Sequence, residues 1–128
     1  MSDTTNAPAG ALLVKSLDSP DERRAPEKTQ VGVNYLGEYT IGRMTMEPGW
    51  SWSECIKPIV HTESCQLLHV GYCVSGALEL VLNDGTRATI KAGDSYTIPP
   101  GHDASVVGEE AFVGIEFASA AELAVAAK

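Results

Sequence analysis

The chain has 128 residues, 44% of them hydrophobic, which is enough for one ordinary globular core in one domain. Seventeen acidic against nine basic residues leave a formal net charge of −8, which argues against nucleic acid and against anionic membrane surfaces as partners. No apolar run approaches the ~20 residues of a membrane-spanning helix.

Residues 1–10 are small and polar and carry neither a basic start nor a long apolar stretch, so a flexible end rather than a secretory signal is expected. Residues 11–17 (ALLVKSL) read as a short edge strand. The charged stretch 18–29, with Pro20 and Pro26, reads as an irregular surface arm. From Val31 the pattern turns to strand, over 31–36 and then 38–46, where Tyr39, Ile41, Arg43 and Thr45 share a face before Pro48-Gly49. Trp50 and Trp52, and likewise Cys55 and Lys57, are expected on common strand faces. A strand over 67–75 ends at Gly76, and 77–82 follows at once. Asn83-Asp84-Gly85 marks a tight hairpin into 86–91. Ala92-Gly93-Asp94 turns the chain into 95–98, Pro99-Pro100-Gly101 stops it, and 104–107 and 111–118 supply the last strands. The tail, 119–127, carries a Ser with a Glu three residues on and reads as a short capped helix. Short strands with frequent turn signals imply an all-β sandwich or barrel.

The middle of the chain resembles the cupin family of small double-stranded β-helix, or jelly-roll, barrels. Gly93, five residues, then Pro99-Pro100-Gly101 follows the start of that family's second motif. His69, six residues, then Gly76 follows the end of its first, with His where the family has Glu. The resemblance covers about Asp18 to Phe117. It implies a flexible 1–17, a barrel over 18–118 and a helix over 119–128. Two registers stand open for the family's His-x-His: Cys55-Ile56-Lys57 after Gly49, or Glu63-Ser64-Cys65 close before His69. In the second motif Ala104 holds the expected His position and His102 lies two residues earlier.

These positions set the candidate site at the barrel mouth. His69 is the leading metal ligand, sharing a strand face with Cys65, Leu67, Gly71 and Cys73 if the strand runs that far back; the other reading is a core His bonded to backbone. His102 reaches the same site if the register slips; otherwise it caps a turn. Cys55 and Cys65 are further metal candidates, since thiolate with imidazole suits Zn, Fe or Cu, and each is equally readable as a small buried hydrophobe. Cys73 reads as the latter, and His61 as a surface residue. Lys57 is a candidate anion anchor or base, Glu63 a candidate ligand or base, and either could instead be solvated. Trp52, beside Trp50, and Tyr96 are candidate ligand-binding walls.

Two functions follow from the resemblance. One is a small-molecule cupin with a divalent transition metal (Zn, Fe, Mn, Ni or Cu), used as in dioxygenases, isomerases or lyases. The other is a metal-free module that binds or senses an organic anion. A homodimer is expected because a monomer leaves strand edges to cover. Three cysteines are an odd number for a disulfide framework and suggest a reduced, cytoplasmic protein.

Overall fold

The computed structural model describes residues 10–117, which form an all-β barrel of two antiparallel sheets. The strands are β1 (Glu22–Arg24), β2 (Thr29–Leu36), β3 (Tyr39–Met46), β4 (His69–Ser75), β5 (Ala77–Leu82), β6 (Arg87–Lys91), β7 (Ser95–Ile98), β8 (His102–Val106) and β9 (Phe112–Phe117). One sheet runs β1-β2-β3-β9-β4-β7 and the other β6-β5-β8. The helix expected over 119–127 lies outside the described residues.

Alternation builds the interior. In β4, His69, Gly71 and Cys73 are buried while Val70, Tyr72 and Val74 face out; in β9, Phe112, Gly114 and Glu116 are buried. Val31 and Val33 of β2, Met44 and Met46 of β3, and Leu78 and Leu80 of β5 fill the space between the sheets. The chain changes sheet between Ser75 and Ala77, and Gly76 makes that corner with a φ of +78°. The Asn83-Asp84-Gly85 turn joins β5 to β6, with the Thr86 amide bonded to Asp84 Oδ1 at 2.9 Å.

Two segments depart from the sequence reading. The edge strand expected within 11–17 is not formed. Leu12 and Val14 face solvent, and Lys15 Nζ instead bonds the Tyr35 carbonyl and Asp21, each at 2.6 Å. The edge beside β2 is taken by β1, inside the arm expected to be irregular. Side-chain clips seat it there: the Asp21 amide donates to Asn34 Oδ1, and the Tyr35 amide to Asp21 Oδ2. The second departure follows Trp50: where strand faces were expected for Trp50 with Trp52 and for Cys55 with Lys57, the chain forms two single-turn helices, α1 (Trp52–Cys55) and α2 (Lys57–Val60). Ser51 caps α1 by accepting from the Glu54 amide, and Pro58 lies in the first turn of α2, where its missing N–H costs nothing. Consequently neither the Trp50–Trp52 nor the Cys55–Lys57 pair shares a strand face.

Candidate metal centre

Three buried donors meet between the sheets. His69 comes from β4 of the larger sheet and His102 from β8 of the smaller. Their rings stand edge to face with centroids 5.1 Å apart. Cys65 joins them by a different route from the one its spacing suggested. β4 begins only at His69, so Cys65 does not reach the site along the same strand. It forms an isolated antiparallel bridge to His102, with the Cys65 amide bonded to the His102 carbonyl at 2.7 Å. One potential ligand atom from each of the three residues lies within 4.8 Å of the others.

The outer nitrogens of both imidazoles are already committed. His102 Nδ1 is 2.7 Å from the Pro99 carbonyl, which can only accept, so Nδ1 carries a proton and Nε2 is the nitrogen left for Cys65. His69 Nδ1 is 2.7 Å from Glu116 Oε1, and its Nε2 is 3.7 Å from Cys65 Sγ. The Tyr96 hydroxyl donates to the other Glu116 oxygen at 2.7 Å. Imidazole held by an outer carboxylate or carbonyl is the usual support of a metal-bound histidine.

Glycine makes the Glu116 clamp possible. Gly71 pairs with Tyr96 on one side and Glu116 on the other, so Tyr96 reaches Glu116 across it. A Cβ at Gly71 would stand 2.8 Å from Glu116 Cγ and 2.9 Å from the Tyr96 hydroxyl.

The electrostatics favour a deprotonated sulfur. Burial works against the Cys65 thiolate, but hydrogen bonds from His102 and His69 outweigh it and bring the group down to about 6. Burial likewise opposes charge on His69. Cys65 and Glu116 overcome that and raise it to about 10. Burial and the Glu116 carboxylate hold the Tyr96 hydroxyl protonated.

The donors line a cavity with about 30 Å³ of room for the centre of a water-sized sphere. Apart from the donors and Glu116 its wall is mainly apolar, including Met44, Met46, Leu78, Leu80 and Phe112, with Trp50 and Trp52. A larger hollow of about 360 Å³ lies beside β6 and β7 and shares Leu80 and Ile98 with it.

The cupin-domain family model matches residues 42–115, more than half of the chain. The chain belongs to the cupin family. A cupin 2 conserved barrel domain protein from Salinispora arenicola superposes with a TM-score of 0.58 at 19% identity, covering 91% of this chain and 98% of that one. The Cnp3 cupin domain of Schizosaccharomyces pombe gives 0.56 at 18%, covering 82% and 67%. A point mutant of Bacillus subtilis oxalate decarboxylase gives 0.54 at 21%, covering 77% of this chain and 28% of that one. At these identities the likenesses show the fold alone. No curated protein matches the sequence.

In this cupin the short-gap register is the one that brings a thiol to His69, through Cys65. Cys55, the other thiol considered, is buried in α1 outside the cluster, and all three cysteines are free. Cys73 Sγ is turned to the Ser75 carbonyl at 3.3 Å, and its thiol is pushed up by burial. Lys57 and Glu63 do not enter the cavity; they pair on the surface at 3.5 Å, with the Glu63 side chain 99% exposed. Trp52 lines the cavity, whereas Tyr96 acts on it through Glu116. His61 is exposed, as expected, at the left-handed cap of α2. Glu116 was not among the candidates. The signal was a carboxylate at an inward position of β9, in step with Phe112 and Gly114. Among the described residues no helix is long and apolar enough to cross a membrane.

Proposed function

We propose that this cupin holds one divalent transition metal through Cys65 Sγ, His69 Nε2 and His102 Nε2, and binds a small molecule in the cavity beside it. The observation that carries this is the outward commitment of both Nδ1 atoms, which aims the Nε2 atoms at the side where the thiolate stands. The donor set fits such an ion. Two ligands of a tetrahedral zinc, one sulfur at ~2.3 Å and one nitrogen at ~2.1 Å, stand ~3.6 Å apart. Cys65 Sγ and His69 Nε2 are 3.7 Å apart. One thiolate with two imidazoles ranks zinc ahead of iron or copper, and well ahead of magnesium or calcium. Three protein ligands leave a further coordination position for a small molecule, and the metal would supply Lewis-acid or redox chemistry there.

Metal-free binding of an organic anion is the weaker reading, because Lys57, the anchor it requires, is engaged with Glu63 on the surface. Elemental analysis decides between the two. Protein made in zinc-replete medium and dialysed against metal-free buffer is expected to carry about one zinc per chain. A content near zero after reconstitution under reducing conditions overturns the metal reading.

A further inference from the structure

The arm covers one half of the larger sheet's outer face. Over β2 and β3, Pro20 Cγ sits 3.2 Å from where a Cβ at Gly32 would stand, and Arg43 Nη2 donates to the Leu17 carbonyl and to Asp18 Oδ1. On the other half, formed by β9, β4 and β7, Val70, Tyr72, Val74 and Phe117 are each between 41% and 51% exposed. These four form one patch. Tyr72 stands between Ile115 of β9 and Ser95 of β7, and Val70 and Phe117 each lie one residue beyond the paired Gly71 and Glu116. Val74 follows at the irregularity between Cys73 and Ser75. The remaining outward positions of the three strands are Val113, Ile115, Ser95 and Thr97, so this half of the face carries no charge, on a chain whose net charge is −8.

We infer that this half-face is the interface of a homodimer, in which a second copy of the chain meets it about a two-fold axis. A sheet face is covered, rather than the strand edges from which pairing was expected. The four residues leave roughly 400 Å² of surface in water, a patch of the size that marks an interaction site on a soluble chain. Two such patches, with the exposed Ser95 and Thr97 and the half-buried Val113 and Ile115 beside them, take the buried total past the ~1,000 Å² that a specific interface needs. Charge selects the occupant. Two copies at −8 each repel one another, and contact through this patch buries no like charges. An uncharged patch offers a charged partner nothing to pair with, whereas an identical patch matches it, as a closed two-fold contact requires. Tyr72, an aromatic between β-branched Val70 and Val74, is the kind of residue that anchors such contacts. The inference is independent of the metal reading, since these side chains alternate with the buried His69, Gly71 and Cys73 and point away from the centre.

The test is the mass of the full-length chain in solution, by sedimentation velocity under reducing conditions so that its three cysteines form no cross-link. At about 50 µM the parent is expected at twice the 13.5 kDa chain mass. Raising NaCl from about 0.1 M to about 0.5 M should tighten the dimer, because salt screens the repulsion between the two acidic chains and leaves apolar contact intact. Tyr72→Glu is expected to weaken association about 100-fold or more, since symmetry places the change on both copies. Val107→Glu, at a 46% exposed position just after β8 of the other sheet, adds the same charge and should remain a dimer. In a mixture of isotope-labelled and unlabelled parent chains, filtered NOEs are expected from the Tyr72 ring to methyl groups of the same patch on the other copy. That readout is made on the parent, so the test holds even where Tyr72→Glu folds poorly. A monomeric parent overturns the inference, as do a mass above two chains, dissociation by salt, and Tyr72→Glu associating as tightly as the parent. A dimer without NOEs across this patch also overturns it and assigns the contact to another surface.

Discussion

His69→Ala is expected to lose its metal almost completely, retaining less than about a tenth of the parent content, because it removes one of only three protein ligands. Cys65→Ala and His102→Ala should behave in the same way. Glu116→Gln is the informative contrast. It keeps the shape and leaves the three ligand atoms in place, but replaces the carboxylate that accepts from His69 Nδ1 and from the Tyr96 hydroxyl. Loss of such an outer partner typically weakens metal affinity about 10- to 100-fold, so competition with a chromophoric chelator should show a weakened site rather than an absent one. His61→Ala, on an exposed cap outside the cavity, should hold metal as the parent does. Equal metal content in all of these variants would show that the ion, if bound, is held elsewhere.

The largest effect on stability is expected from Gly76→Ala. Gly76 is the single residue between β4 of one sheet and β5 of the other, and its φ of +78° disfavours any side chain. A Cβ there would stand 2.3 Å from the Ala111 carbonyl oxygen and 2.7 Å from Phe112 Cα. Both neighbours are backbone, held at the start of β9, so neither can swing aside as a side chain would. Left-handed backbone costs about 1–2 kcal/mol for a non-glycine residue, and a forced clash typically adds about 1–3 kcal/mol. The sum, about 2–5 kcal/mol, is a large share of a small domain's total stability. It should lower Tm by about 10 °C or more. Gly85→Ala is the control. Gly85 has a similar φ of +89° with nothing within 4 Å of the added methyl group. It should cost only the backbone part, about 1 kcal/mol in urea unfolding. If the two variants unfold at the same urea concentration, the corner at Gly76 is not what constrains this position.

The parts of the fold that could be read in the sequence were those carried by local, repeated signals. β4 through β7 follow the alternation and the turn chemistry at Gly76, Asn83-Asp84-Gly85 and Ala92-Gly93-Asp94 closely. The two single-turn helices were missed because four residues are too few to display a helical period, and Trp50 and Trp52 also fit a strand. The readable signal there was Ser51 with Glu54 three residues on, the same capping pattern noticed in the tail. The site was legible in part. His69, His102 and Cys65 were all candidates, but their convergence depends on the bridge between Cys65 and His102, and no local spacing encodes it. Glu116 lies 47 residues from the imidazole it holds, and the pairing of β9 with β4 is what brings them together.

X-ray absorption at the zinc edge of the reconstituted protein tests the central claim most directly. The account predicts a mixed first shell, with about one sulfur near 2.3 Å and about two imidazole nitrogens near 2.0–2.1 Å, the sulfur contribution disappearing in Cys65→Ser. A shell of nitrogen and oxygen alone in the parent protein, or a sulfur that persists in Cys65→Ser, would contradict it.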